Sequence, residues 1–283
     1  MPPPRKRIKR KKKSRHIILV LLLIIAGTFL LIKEPDRDTV LKKGPGTARL
    51  KKTVKPKFPV KPGLKPLPRV SIVMDDLGPN KKAAQDVLDL KIPLTLSILP
   101  GEVYSAWVAR EGHRLGLDII GHIPLEAKKP LRLGNGGLYR WMTKEEIIDT
   151  LKADFNSIPH ITGISTHMGS AFTEDKRVMN VMISELKKHR LFFLDSITTP
   201  KSVGIEVAKS LGIKAIRRDV FLDDSDDPAE MKIQWNRMLK IAGGKGFAVI
   251  QAHPRKNTIT FLKKALSRNN EIKIVPLSEL IND

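Results

Sequence analysis

From residue 70 onward, short apolar runs take turns with segments whose apolar residues recur at helical spacing, and few folds accommodate that alternation. The runs fall at 70–74, 94–99, 118–122, 163–167, 191–195, 214–217, 247–251 and 272–275. Each is bounded by turn-forming or polar residues and is too short for a helix, so each reads as a buried strand. Helical stripes fall at 80–90, 144–155, 176–189, 203–211, 229–242 and 258–267. In one of them Met231, Trp235, Met238, Leu239 and Ala242 share a face, which makes the Met and Trp positions core and not a cofactor box. Strands alternating with helices imply a parallel sheet covered by helices. Seven or eight such units predict an α/β fold, an irregular (β/α) barrel of seven or eight parallel strands filling 70–283 as one domain.

Polar residues recur where these strands end. The first runs Ser71-Ile72-Val73-Met74 straight into Asp75-Asp76-Leu77-Gly78. Desolvated charges are costly unless paired or metal-bound, so two acids at the end of a buried strand suit a mouth where chemistry is done. The competing local reading is a turn in which Asp76 caps the helix starting near Asn80. The third strand ends in His122 and Glu126, the fourth in His167, the fifth in Asp195, and the seventh in His253. The sixth leads through Arg217, Arg218 and Asp219 to Asp223. In a parallel barrel all these ends converge on one face. Of the seven histidines, three (122, 167 and 253) stand at such ends. His113 and His189 fall near helix ends, His160 in a loop, and His16 beside the N-terminal apolar segment. A carboxylate with imidazoles is a catalytic zinc-type donor set, and an ion held that way activates water near neutral pH. The second acid of the pair is then free to act as a base.

Other motifs point to structure. The acidic run 223–227 lacks the Gly and Glu that a calcium loop needs, and Asp227-Pro228 reads as a helix start. Gly243-Gly244-Lys245-Gly246 precedes a strand where a phosphate loop would follow one, so it reads as a helix end with a turn. The connection 131–141 carries Tyr139 and Trp141, whose rings either pack or overhang the mouth and stack on a sugar. There is no cysteine, which excludes disulfides and thiolate metal sites.

The charge of +23 is lopsided. Residues 1–69 hold 21 Lys and Arg against three acids, while 70–283 hold 31 against 26. A nucleic-acid binder carries its basic stripe on the folded domain, so no nucleic acid is expected. Residues 5–15 contain nine basic residues, and 17–32 follow without a charge. This pattern predicts a basic cytoplasmic tail (1–16) and an uncleaved transmembrane helix (17–32) in place of a cleaved signal peptide, with the remainder exported. Residues 33–69 hold seven prolines and many lysines, the composition of a disordered linker.

The ordered motifs Val73-Met74-Asp75-Asp76-Leu77-Gly78, His122-Ile123-Pro124-Leu125-Glu126, Thr166-His167-Met168-Gly169-Ser170, Leu194-Asp195-Ser196-Ile197-Thr198-Thr199, Val220-Phe221-Leu222-Asp223 and Ala252-His253-Pro254 together resemble the divergent polysaccharide deacetylase family. The resemblance covers 70–283 and implies a distorted β/α barrel related to esterases that remove N-acetyl groups from polysaccharides. It implies Asp75 as base, Asp76 and His122 as metal ligands, and His253 as acid. Glu126 stands where the ordinary deacetylases have a second ligand histidine, and His167 is expected to supply that nitrogen. The usual Arg-x-Pro motif has no counterpart, and Ser165-Thr166 stands where many relatives have Asn. Asp195, Arg217 or Arg218, and Asp223 are expected in support, although structural ion pairs account for them equally well.

The expected protein is thus a membrane-anchored, exported hydrolase. It depends on a divalent metal, zinc by expectation, and acts on N-acetyl groups of a polysaccharide such as a cell-wall glycan. It would sit on the outer side of the cytoplasmic membrane. The rivals are a non-catalytic module that binds glycan or protein on the same barrel, and an O-acetyl esterase.

Overall fold

The computed structural model describes residues 66–267 and 269–282. The tail, the anchor and all of the linker but its last residues lie outside them. Among the described residues no helix is long and apolar enough to cross a membrane.

Nine strands alternate with eight helices in these residues: β1 Arg69–Leu77, α1 Lys81–Leu88, β2 Thr95–Ile98, α2 Ser105–Arg114, β3 Asp118–Leu125, α3 Lys144–Ser157, β4 Gly163–Met168, α4 Lys176–His189, β5 Phe192–Asp195, α5 Gly204–Ser210, β6 Ala215–Arg217, β7 Val220–Phe221, α6 Pro228–Lys245, β8 Phe247–Ala252, α7 Lys256–Leu266, β9 Lys273–Ile274 and α8 Leu277–Asn282. Every pairing is parallel, in the order β6-β5-β4-β3-β2-β1-β8-β7, with β9 added to the start of β1.

The expected barrel is therefore curled but not closed by a ladder. The two edge strands β6 and β7 are consecutive in the chain. The short segment between them donates from Arg218 N–H to the Asp195 carbonyl at 3.0 Å and from Asp219 N–H to the Val249 carbonyl at 2.8 Å, one bond to each side of the gap. Strands of two or three residues cannot form a continuous ladder, so a crossing chain stands in for one.

Three elements escaped the sequence pattern, one of them the six-residue α8. The buried face of α2 is Ser105, Val108, Ala109 and Gly112, a stripe at helical spacing in which Ser and Gly conceal the apolar signal. The two residues of β7 are too few to register. Local signals elsewhere act as expected: Asp227 caps α6 with Pro228 in its first turn, and Gly246 ends it at φ 83°. The cap of α1 is Asn80, whose side chain accepts from Ala83 N–H, and not Asp76.

Strand periodicity sorts the core into layers. Ile72, Met74, Leu96, Ile98 and Ile250 face outward beneath α1, α2, α6 and α7. Ile123, Leu125, Ile164 and Phe193 face outward beneath α3, α4 and α5. Val73, Ile120, Phe192, Leu194 and Val249 face inward and meet Leu277 and Leu280 of α8, which fills the end of the barrel where the strands begin. Truncating a fully buried side chain such as Phe193 to Ala would cost about 3–5 kcal/mol. The next inward positions toward the other end are Asp75, Ser97, His122, Ser165 and Gln251, all buried. Apolar filling gives way there to polar groups.

Candidate metal centre and active site

Adjacent residues on a strand point to opposite faces, so Asp75 and Asp76 would ordinarily part company. They do not, because Asp76 adopts a left-handed backbone conformation at φ 56° and the register of β1 against β2 shifts between Met74 and Leu77. This kink turns both carboxylates into the mouth. Gly78 follows at φ 125°, where a Cβ would come 2.6 Å from Ser105 Oγ, so the turn admits only glycine.

Asp76 Oδ1 lies 3.3 Å from His122 Nε2 and 2.9 Å from His167 Nδ1. One donor atom from each of these three residues falls within 4.8 Å of the others. The oxygen is buried and, despite its two imidazole neighbours, has no partner in hydrogen-bond geometry. Three potential donor atoms gathered this closely can hold a cation. One oxygen and two nitrogens suit a zinc-type ion with open positions left for water and substrate. Burial works against the charge of Asp76, but the two imidazoles outweigh it and hold its pKa well below the usual carboxylate range.

His122 is oriented from behind. Its Nδ1 lies 2.7 Å from Ser165 Oγ, and that hydroxyl lies 2.7 Å from Ser97 Oγ. With Nδ1–H donating to Ser165, Nε2 presents its lone pair to the cluster. Burial lowers the pKa of His122, yet Asp75 and Asp76 prevail and hold it above the ordinary value.

Asp75 flanks the cluster, almost fully buried. Its Oδ2 accepts from Gln251 Nε2 at 2.8 Å, and the same amide donates to Ser196 Oγ at 3.1 Å. Its Oδ1 has no hydrogen-bond partner among the described residues and lies 3.6 Å from His122 Nδ1. On the far side His253 places Nε2 3.5 Å from Asp76 Oδ2. Asp223 Oδ1 lies 3.1 Å from its Nδ1. Burial pulls the pKa of His253 down, but Asp223 outweighs it and holds the imidazole above its ordinary value. Phe221, whose ring centroid lies 5.1 Å from that of His253, lines a cleft of about 540 Å³ with Ile197, Arg218, Asp224 and Arg237.

The structure thus brings Asp75, Asp76, His122, His167 and His253 together, with Asp223 behind the last. Three expected supports stand elsewhere. Asp195 lies on the outer face of β5 with Phe193. It accepts from Ser202 Oγ at 2.6 Å and from Ile197 N–H at 3.0 Å, so it holds the turn into α5 and orients no ligand. Burial raises its pKa. Arg217 is exposed at the sheet edge. Its neighbour Arg218 is the arginine that faces inward, donating to the Ser196 and Ile197 carbonyls at 2.8 and 3.2 Å. Glu126 is absent from the donor cluster. It accepts from Arg140 N–H at 2.6 Å and from the Arg140 guanidinium at 3.1 Å.

Sequence reasoning missed Gln251, Ser165, Ser97 and Ser196. The signal was present for two of them. Gln251 stands two residues before His253 and Ser165 two before His167, so each shares its strand face with a candidate residue.

A family model described as "Divergent polysaccharide deacetylase" matches residues 72–281. An uncharacterized protein of Haemophilus influenzae is 32% identical over 214 residues, 75% of this chain and 76% of the relative. The uncharacterized Escherichia coli protein YibQ is 29% identical over 216 residues, 76% of this chain and 68% of the relative. The crystal structure of the uncharacterized protein ATU2773 from Agrobacterium tumefaciens matches with a TM-score of 0.72 at 23% identity, over 76% of this chain and 90% of that one, which shows a common fold.

Proposed function

Because the chain belongs to the divergent polysaccharide deacetylase family, we propose that it is a metal-dependent hydrolase that removes N-acetyl groups from a polysaccharide. The observation that carries this reading is the convergence of Asp76, His122 and His167 on one point, with a buried acid on one side and an Asp-held histidine on the other. Asp76 Oδ1, His122 Nε2 and His167 Nδ1 would hold the ion, zinc in our reading. When bound, a divalent ion supplies Lewis acidity and a water that is nucleophilic near neutral pH.

The remaining work falls to the protein's own residues. Asp75 takes the proton of the attacking water on Oδ1, the oxygen left without a partner, while Gln251 fixes Oδ2. His253 is the proposed proton donor, and Asp223 favours its charged form by raising its pKa. It delivers the Nε2 proton to the amine nitrogen as the amide bond breaks. Asp223 keeps Nδ1 in the donor role and stabilises the charged ring. Water and amide become acetate and a free amine.

We further propose that residues 17–32 anchor the domain to the cytoplasmic membrane and that the domain works on its outer side. The support is the basic cluster before an uncharged segment. A reporter fused after residue 283 that is active only in the cytoplasm would overturn this.

The test of the enzymatic reading combines metal analysis of the purified protein with acetate release from N-acetylated glycans. Roughly one divalent ion per chain and release that chelation abolishes are expected. A metal-loaded protein that binds glycan but releases no acetate from any amide would make the barrel a binding module. Release from esters alone would make it an O-acetyl esterase.

A further inference from the structure

The connection between β3 and α3 ends in an aromatic pair that the chemistry above leaves unused. Tyr139 and Trp141 stack with ring centroids 5.5 Å apart and 21° between planes. Trp141 is 72% exposed. Packing therefore does not account for this indole, and so large an apolar surface left in water forgoes about 25 cal/mol for each Å² that burial would gain.

The pair is held rigidly. Leu138 joins β3 by a parallel bridge to Leu125, beyond the last residues that β2 pairs with β3. Leu138 N–H donates to the Pro124 carbonyl at 2.9 Å, and Glu126 N–H donates to the Leu138 carbonyl at 2.9 Å. Between the two rings, Arg140 is gripped on both sides. Its N–H donates to Glu126 Oε2 at 2.6 Å, and its carbonyl accepts from the Arg177 guanidinium. Tyr139 N–H is further directed at Met142 Sδ, 3.2 Å away. An exposed tryptophan on a backbone pinned this way loses little conformational freedom when a ligand covers it.

Its place is the rim of the mouth. Glu126 lies two residues beyond Pro124, which is level with His167 in the β3–β4 register, so the anchor of the pair stands about 7 Å farther along the strand direction than that residue. The rings are thus anchored beyond the proposed ligands, where a ring next to the one being deacetylated would lie. We infer that Tyr139 and Trp141 form a platform on which a neighbouring pyranose ring of the polysaccharide stacks its C–H face, so that the protein acts on extended chains in preference to free monosaccharides. This rests on the deacetylase reading and adds the substrate's length to it. It also accounts for Glu126, since the residue at the second histidine position holds the platform in place.

The test measures binding of N-acetylglucosamine oligomers of one to six units to the full-length protein in detergent, by calorimetry and by indole fluorescence. Wild-type affinity should climb with chain length. In Trp141→Ala that climb should shrink at least about tenfold, the worth of some 60 Å² of buried ring face. Trp141→Phe should keep most of it, and unchanged melting temperatures would show both variants folded. If the climb is absent in the wild type, or persists undiminished in Trp141→Ala, the platform is overturned and the deacetylase reading stands. If instead Trp141→Ala alters the sedimentation of the protein alone, the ring pair is a protein contact and the platform is likewise overturned. A wild type that binds no oligomer and releases no acetate from any glycan overturns the deacetylase reading, and the platform with it.

Discussion

Asp223 holds His253 by two bonds: one carboxylate oxygen accepts from the backbone N–H at 2.9 Å, and the other lies 3.1 Å from Nδ1. Thr258 Oγ1 donates to the same carboxylate at 2.7 Å, which leaves Asp223 fully buried and satisfied. Burial raises the pKa of Asp223, but His253 and Thr258 outweigh it, so the group stays ionised. Its charge raises the pKa of His253. The proposed acid is active while protonated, so activity is lost as pH climbs through that pKa. In Asp223→Asn the alkaline limb of the pH–rate profile should move to lower pH. Turnover should fall at least about 100-fold, the usual scale for a disabled acid, with metal content retained.

Asp75 offers the sharpest separation of chemistry from metal binding. It lies outside the donor cluster and is held by Gln251. Asp75→Asn should keep its metal and its melting temperature while acetate release falls about 10²- to 10⁴-fold. Loss of the metal in this variant would instead make Asp75 a ligand.

Ser165 touches the proposed site only through His122 Nδ1. Ser165→Ala should weaken metal binding about 10- to 100-fold, read by competition with a chelator. Thr or Asn at this position, each able to accept from Nδ1–H, should recover part of that affinity.

Glu126 is tied to Arg140. Glu126→Gln should therefore bind metal as the wild type does. A large drop in metal affinity would return Glu126 to the ligand set.

Asp154 on α3 is buried against Gly136, where an added Cβ would come 2.1 Å from its Oδ1. Burial pushes its pKa up to about 8. Below about pH 4 the carboxyl is protonated whether the chain is folded or not. Between about 4 and 8 the unfolded chain gives up the proton and the folded one keeps it, so stability falls as pH rises, by at most roughly 5 kcal/mol. Asp154→Asn removes that dependence. Its melting temperature should exceed the wild type's most at pH 8 and converge with it at pH 4.

Much of the fold was legible because periodicity is a local property. The apolar run at 118–122 and the stripe at 176–189 announce β3 and α4 without any neighbour. Convergence of His122, His167 and His253 followed from parallel strands, which bring all their ends to one face. Alternation separates Asp195 from the mouth only once the structure shows Phe193, two residues earlier, facing outward, and it selects Arg218 over Arg217 by the same count. The stripe of α2 was hidden because its contacts use Ser105 and Gly112, whose burial depends on what lies above them.

By itself, then, the sequence determined the parallel α/β plan, the rim on which the ionisable residues gather, and the family. Each follows from patterns of side-chain type along the chain. Tertiary structure alone decided which residues meet. A left-handed backbone at Asp76 overrides the strand's alternation and turns both acids inward. A crossing segment closes the gap between β6 and β7 where no ladder can form. Glu126, the last residue of the motif that begins with His122, reaches Arg140 because a connection a dozen residues downstream folds back onto β3. Such outcomes depend on backbone dihedrals and on contacts between distant segments, which spacing along a chain does not encode.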